Sequence, residues 1–142
     1  MPVEHITKLL NGHPRATQIG LRNMDLQPED IRKIIDCIVK KQQIVGLDLS
    51  NVTSDGLNRM SEGSTLLERL LSQNKVLMKL ELEGLNLRDK GVEALERAYK
   101  INHNSNLFYL KLSNNGITSR SFEPIKTILM KGSIKDLDLS NN

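Results

Sequence analysis

The residue types that most often carry chemistry are sparse in this sequence. The three histidines, His5, His13 and His103, lie far apart, and none stands four residues from another candidate ligand on an evident helix face. A thiolate zinc site needs several cysteines, and Cys37 is the only one. It lies in the apolar stretch "IIDCIV", where we expect it to be buried as a small hydrophobic side chain rather than activated as a nucleophile. The sequence therefore predicts no metal, no cofactor and no catalytic residue.

Two further signatures of enzymes are missing from the sequence. Its glycines are isolated rather than grouped into a phosphate-binding loop, and no serine stands in a nucleophile elbow. Without such a constellation, we predict that the protein is not an enzyme.

Length and charge limit which classes of function remain open. The 142 residues suffice for one domain, and 20 basic against 17 acidic residues leave a net charge of +3, too small to argue for nucleic acid. The N-terminus lacks the features of a signal peptide, and no apolar stretch approaches the roughly 18 residues of a membrane span. With a single cysteine, the sequence predicts a cytoplasmic protein without nucleic-acid or membrane partners.

A repeated phrase organises the chain, because "LDLSN" occurs at residues 47–51 and again at 137–141. The clearest copy of the surrounding motif, "LFYLKLSNNGI", matches the form L-x-x-L-x-L-x-x-N-x-L at every position. This pattern identifies a leucine-rich repeat, and the chain resembles the ribonuclease-inhibitor-like type of that family. Five copies recur at intervals of about 30 residues, and their central strand positions are Ile19, Leu47, Leu80, Leu110 and Leu137.

The repeats predict an α/β fold, a leucine-rich-repeat solenoid of about five repeats. We expect a horseshoe arc with a parallel concave sheet and convex α-helices. We predict one domain over residues 1–142, in which residues 1–15 form an N-terminal helical cap. The repeats begin near residues 16, 44, 77, 107 and 134, and the last is truncated.

Amphipathic helices are predicted between the strands. The stretch "QPEDIRKIIDCIVKK" has the spacing of a single apolar stripe, and "SFEPIKTILMKG" repeats it. The two stripes comprise Ile31, Ile34, Ile35, Ile38 and Val39 in the first, and Phe122, Ile125, Ile128 and Leu129 in the second. A longer interval contains Gly63-Ser64 and a capping box from Thr65 to Glu68, which predict an insertion that splits the helix there.

Asparagines mark the turns that follow the strands. The resemblance implies that Asn115 and Asn142 bond backbone groups of adjacent turns. Met24, Val52 and Leu85 replace this asparagine in the other copies, so we expect apolar packing in the N-terminal half. In four copies another asparagine stands directly before this asparagine position, which indicates a role in the turn. These residues are Asn23, Asn51, Asn114 and Asn141.

The strand residues that alternate with the leucines define the predicted binding site. The resemblance implies a protein–protein interaction module, and Tyr109 is the only aromatic anchor on this surface. Five acids against three bases favour a partner with a basic surface, although solvated charges would also produce this pattern. The predicted concave-face site comprises Arg22, Asp48, Lys79, Glu81, Glu83, Tyr109, Lys111, Asp136 and Asp138.

The resemblance and the end of the sequence leave several alternatives open. Members of the family include inhibitors, immune sensors and bacterial effectors, and this small chain resembles an effector delivered into a host cytosol or a sensor fragment. The last motif stops before its final apolar position and has no capping segment. Either the chain is a fragment of a longer array, or the last strand edge serves as an assembly element that pairs with another copy or a partner.

Overall fold

Strands and helices alternate along the chain. The computed structural model describes residues 2–13, 15–53, 60–102 and 105–142, so expectations that involve Ser54, within the second repeat, and His103 fall outside the described residues. The strands are β1 (Gln18–Gly20), β2 (Gly46–Asp48), β3 (Lys79–Glu81), β4 (Tyr109–Lys111) and β5 (Asp136–Asp138). The helices are α1 (Pro2–Gly12), α2 (Pro28–Lys41), α3 (Met60–Gln73), α4 (Arg88–Ile101) and α5 (Phe122–Lys131), the last preceded by a 3₁₀ turn at Ser119–Ser121.

The five strands form one parallel sheet in chain order. The central residues predicted from the motif are direct partners across every pair of strands, from Ile19 beside Leu47 to Leu110 beside Leu137. Each strand is short because its leucines must point inward over only one turn of the repeat. The predicted α/β fold with five parallel strands is confirmed.

Aliphatic side chains from strands and helices form one continuous core. Leu49, Leu82 and Leu112 are at most 1% exposed, and they join a cluster that includes the apolar stripes of the helices. In α2 the stripe is buried from Ile31 to Ile38, whereas Val39 is half-buried. Each fully buried aliphatic side chain contributes about 1.5–3 kcal/mol.

The turns use the predicted asparagines. Asn23, Asn51, Asn114 and Asn141 have positive φ angles of 64°, 54°, 53° and 57°, and Gly84 takes this place in the third copy. Asparagine and glycine tolerate the left-handed region that such turns require. The predicted turn role is therefore confirmed.

We call the asparagine position of the motif the ladder position. The two asparagines that occupy it, Asn115 and Asn142, bond backbone groups of neighbouring turns. Asn115 Oδ1 accepts from the N–H groups of Leu85 (2.9 Å) and Leu87 (3.3 Å), and its Nδ2 donates to carbonyl oxygens that include that of Leu82 (2.7 Å). Asn142 Oδ1 likewise accepts from the N–H groups of Asn115 (2.8 Å) and Ile117 (3.1 Å). The role that the resemblance implied for these residues is confirmed.

One predicted helix break is wrong. Helix α3 runs through Gly63-Ser64 without interruption, so Thr65 does not begin a new helix. A glycine inside a helix costs about 1 kcal/mol. The leucines of α3 are buried in the core, among them Leu67 and Leu70 at 0% exposure, and this burial outweighs the cost.

Other side chains are less buried than the sequence predicts. Phe122 and Leu129 of α5 are 66% and 43% exposed, and Ile128 is the buried residue of that helix. Among the described elements α5 packs against α4 and its own 3₁₀ turn, so the far side of its stripe has no layer to contact. Cys37 is only half-buried at the margin of the core.

Candidate functional site

One face of the sheet is covered by none of the described helices. The residues that alternate with the buried leucines lie there in three rows across the strands, and we call this surface the open face. Paired strand residues fix the first two rows, and hydrogen bonds between the following residues extend the register to the third. The rows are Gln18–Gly46–Lys79–Tyr109–Asp136, Gly20–Asp48–Glu81–Lys111–Asp138 and Arg22–Ser50–Glu83–Ser113–Ser140.

Arg22, Glu83 and Lys111 form an ion-pair network on the open face. Glu83 Oε2 lies 2.8 Å from Arg22 Nη2 and 3.1 Å from Lys111 Nζ, and Asp48 Oδ2 lies 3.9 Å from Arg22 Nη1. Arg22 reaches from the first strand to the third because Ser50, which lies between them, is short and buried. The Ser50 hydroxyl also accepts from the Glu83 N–H at 3.2 Å.

The network holds its carboxylate ionised. The hydrogen bond from Arg22, followed by that from Lys111, lowers the pKa of Glu83. The hydrogen bond to Glu83 in turn raises the pKa of Lys111. A carboxylate fixed in this way serves as a charged contact rather than as a general base at neutral pH.

A shallow depression lies next to a second charged pair. Lys79 Nζ is 3.2 Å from Glu81 Oε1 and 5.0 Å from the centre of the Tyr109 ring. Beside them, Gly20 and Gly46 leave a depression of about 240 Å³. A Cβ atom added at Gly20 would meet nothing within 4 Å, so this part of the open face is accessible to a partner.

The last strand carries two of the predicted site carboxylates, Asp136 and Asp138. Asp138 accepts from the Ser140 hydroxyl (2.6 Å) and the Ser140 N–H (2.9 Å), and these bonds lower its pKa. In the described parts of the chain, neither Asp136 nor Asp138 forms an ion pair within 4.0 Å. The structure thus groups seven of the nine predicted site residues into two charged clusters and leaves these two aspartates apart.

Two features of this region were not predicted from the sequence. The first is the pairing of the charges, which depends on the short Ser50 between Arg22 and Glu83. The second is the exposure of Met78 and Phe108, which are 40% and 41% exposed immediately before β3 and β4. The signal in the sequence that could have revealed them is a large apolar residue directly before the first-row residue of two successive repeats.

Neither a metal cluster nor a membrane span occurs in the described residues. Over those ranges, no three histidine, cysteine, aspartate or glutamate side chains come together to hold an ion. None of the described helices combines the length and the apolar character that crossing a bilayer requires.

The sequence matches no protein-family model. Its fold is similar to that of leiomodin-1 actin-binding site 2, with a TM-score of 0.74 and 20% identity over 97% of this chain and 76% of that one. It is also similar to the tropomodulin C-terminal domain of Caenorhabditis elegans, with a TM-score of 0.76 and 17% identity over 99% of this chain and 83% of that one. At these identities the similarity concerns the fold alone.

These similarities overturn the predicted ribonuclease-inhibitor-like type. Both structures have a leucine-rich-repeat-like fold without belonging to that type, and they give no support to a bacterial effector or a sensor fragment. The prediction failed because the motif specifies inward leucines and a turn, which are common to strand-and-helix repeats. The chain therefore has the fold of the leiomodin-1 and tropomodulin domains.

Proposed function

We propose that the chain is a non-enzymatic protein-binding module whose partner docks on the open face. The observation that carries this proposal is a five-strand surface that no described helix covers, on which charged side chains surround one tyrosine. The ion pairs hold Arg22, Glu83 and Lys111 in fixed positions, which reduces the entropy lost when a partner orders them. Protein interfaces favour aromatic and arginine anchors of this kind.

The electrostatics favour a partner with basic groups at one end of this surface. Glu83 and Glu81 are neutralised by neighbouring cations, whereas Asp136 and Asp138 are not. A partner that places basic side chains near β5 therefore gains charge complementarity without displacing an internal ion pair. Complementarity of this kind speeds association more than it raises affinity.

Actin is the first partner to test. The similarity to leiomodin-1 actin-binding site 2 extends over nearly the whole chain. Since fold alone does not establish function, actin enters as a candidate for a direct measurement.

The test combines binding to purified actin with a variant that fills the depression. Gly20→Trp adds a large side chain where a Cβ meets no other atom, so the protein should fold normally while the open face is blocked. We expect wild-type protein to bind immobilised actin and the variant to lose at least about tenfold in affinity. Glu81→Lys should also weaken binding, whereas the control Glu93→Lys makes the same charge change on an exposed helical residue and should have no effect.

Two results would count against the proposal. Absence of binding at about 100 µM actin would exclude actin as the partner. If actin binds and Gly20→Trp retains wild-type affinity with an unchanged melting temperature, the open face is not the binding surface.

A further inference from the structure

The edge at which the strands begin is basic. We call it the amino edge: it comprises the helix ends and connections that precede β2 to β5, residues 40–45, 72–78, 100–102, 105–108 and 130–135. These residues include no acid and six lysines, namely Lys40, Lys41, Lys75, Lys100, Lys131 and Lys135. The opposite edge, over residues 21–30, 49–53, 82–90 and 112–123, has six acids and four bases.

Helix dipoles account for only part of this asymmetry. Lysines in the last turn of a helix are favoured by the negative end of its dipole, which explains Lys40, Lys41, Lys100 and Lys131. Lys75 and Lys135 lie in the connections instead, and both are exposed. Of the six lysines, Lys100 is the one with a carboxylate nearby among the described residues, at 2.9 Å in Glu96.

An apolar row runs along the same edge. The N–H of Met78 donates to the Val45 carbonyl (2.8 Å), that of Phe108 to the Met78 carbonyl (2.9 Å), and that of Lys135 to the Phe108 carbonyl (2.8 Å). These bonds place Val45, Met78 and Phe108 side by side, with Lys135 next in line. Met78 and Phe108 are exposed and Val45 is half-buried, and exposed apolar side chains that adjoin one another and are flanked by charge are typical of interaction surfaces.

A polar pocket of about 210 Å³ lies beside this row. Tyr99, Asn102, Ser105, Lys131 and Ser133 line it. The Ser133 hydroxyl donates a hydrogen bond to the carbonyl of Leu107, which is the residue before Phe108. The pocket therefore adjoins Phe108.

The pocket contains a hydroxyl donor that has no hydrogen-bond partner among the residues that the structure describes. Tyr99 is 4% exposed, and its buried hydroxyl has no hydrogen-bond partner. Burial raises the pKa of this hydroxyl, and the nearby Ser133 and Ser105 hydroxyls offset the effect only in part, without reaching hydrogen-bond geometry. A buried unpaired hydroxyl beside a lysine suits a carboxylate, which accepts from both.

We propose that the amino edge is a second docking surface, which binds an acidic amphipathic segment of a partner protein. Apolar side chains of the segment cover Met78 and Phe108, and one glutamate or aspartate carboxylate enters the pocket to accept from Tyr99 and Lys131. This surface adjoins the open face at the start of the strands but uses none of its residues, and the inference does not depend on the proposed function.

The chemistry of the edge favours a peptide over other anionic partners. A phosphodiester backbone has no apolar side chains to cover Met78 and Phe108. A bilayer binds a broad apolar surface bordered by cations, whereas this apolar row is three side chains long and ends beside a recessed pocket. A peptide supplies apolar side chains and a carboxylate within a few residues of each other.

The test uses a fluorescent peptide of alternating leucine and glutamate and a matched peptide with glutamine in place of glutamate. We expect the glutamate peptide to bind more tightly and to shift the amide resonances of residues 75–79, 105–109 and 131–135. Lys135→Glu and Phe108→Ser should each reduce its affinity about tenfold. Lys90→Glu, an equal charge change on an exposed residue of the opposite edge, should leave it unchanged.

The variant Tyr99→Phe separates binding from folding. It removes the unpaired hydroxyl, so the melting temperature should stay the same or rise while the affinity for the glutamate peptide falls several-fold. Unchanged affinity in this variant would overturn the carboxylate pocket. Equal binding of the two peptides, or tighter binding to phosphatidylserine vesicles or a single-stranded oligonucleotide than to the glutamate peptide, would overturn the docking surface.

Discussion

The turns of the N-terminal and C-terminal repeats satisfy the same backbone groups in different ways. In the C-terminal half, the side chain of Asn115 accepts from the N–H groups of Leu85 and Leu87. In the N-terminal half the corresponding N–H of Leu26 donates directly to the carbonyl of Thr53 (2.9 Å), whose N–H donates to Met24 (3.0 Å). Adjacent turns are thus joined through an amide side chain in one half and through a backbone bridge in the other.

This difference shows what the ladder position requires. Buried backbone groups must be paired, and an asparagine is one of two available solutions. Where the turns bridge directly, the position is free to carry a core side chain, and Val52 is accordingly 1% exposed. Leu85 combines both arrangements, because its side chain is buried while its own N–H is bonded by Asn115.

The largest effect should follow from replacing Asn115. The change Asn115→Leu keeps the number of side-chain heavy atoms but removes the hydrogen bonds of the Asn115 side chain to the N–H groups of Leu85 and Leu87 and to the carbonyl of Leu82. Each unpaired buried group costs about 1–3 kcal/mol, so we expect a loss of about 4 kcal/mol in the free energy of unfolding, measured by urea titration. Asn142→Leu, at an exposed position, should cost much less. A loss below about 1 kcal/mol at residue 115 would show that the turns can bridge directly there too.

A somewhat smaller effect is expected where the ladder position is apolar. Leu85→Ala removes a fully buried side chain without touching a hydrogen bond, and such changes cost about 3 kcal/mol. The same urea titration measures it, and Val52→Ala, which removes less volume, should cost about 2 kcal/mol. If both variants were as stable as wild type, apolar packing would not be what stabilises the N-terminal turns.

Much of the fold could be predicted from the sequence because its determinants are local and repeated. The motif fixed the central strand residues, and register then followed from stacking identical turns. The break at Gly63-Ser64 was predicted wrongly because local propensity was weighed without the leucines of α3 that bury the helix. The stripe of α5 failed at Phe122 because periodicity shows which residues share a helix face and not whether a second layer covers it.

The candidate site was less predictable. The sequence identified which residues share the open face. The ion pair between Arg22 and Glu83, however, joins two residues that are 61 positions apart in the chain. The unpaired hydroxyl of Tyr99 left no trace in the pattern, since a tyrosine on an apolar stripe looks the same whether or not its oxygen finds a partner. Pairing of polar groups is a tertiary property, and periodicity carries no information about it.

The third turn offers a more modest test of how closely neighbouring turns approach. Gly84 has a φ of 67°, and an added Cβ would lie 2.0 Å from Oδ1 of Asn51 in the preceding turn. Gly116 has the same φ, but its nearest atom would be Arg88 Cγ at 3.6 Å. We expect Gly84→Ala to cost about 2 kcal/mol and the matched control Gly116→Ala about 1 kcal/mol, measured by thermal unfolding. Equal losses would mean that Asn51 moves aside freely and that the turns are not tightly packed.

The smallest effect concerns a carboxylate that joins two repeats on the C-terminal side. Asp89 accepts from the hydroxyls of Ser121 and Thr118, both at 2.6 Å, and from the Thr118 N–H at 2.9 Å. In the N-terminal half a different carboxylate, Asp25, accepts one bond from a described residue of the next turn, from the Thr53 hydroxyl at 3.1 Å.

These bonds, led by that from Ser121, lower the pKa of Asp89, so the link stabilises the fold above the pKa of the unfolded aspartate, about 3.9. This stability is lost as the pH falls from about 4 through the lower folded-state value. The unfolding free energy of wild type should therefore exceed that of Asp89→Asn by less than about 1 kcal/mol at pH 6, and the gap should shrink as the pH falls below about 4. Asp25→Asn, which removes one longer bond, should change the free energy of unfolding less than Asp89→Asn does at pH 6. A gap for Asp89→Asn that persists undiminished at low pH would mean that the substitution disturbs packing and that the ionised carboxylate is not what holds these repeats together.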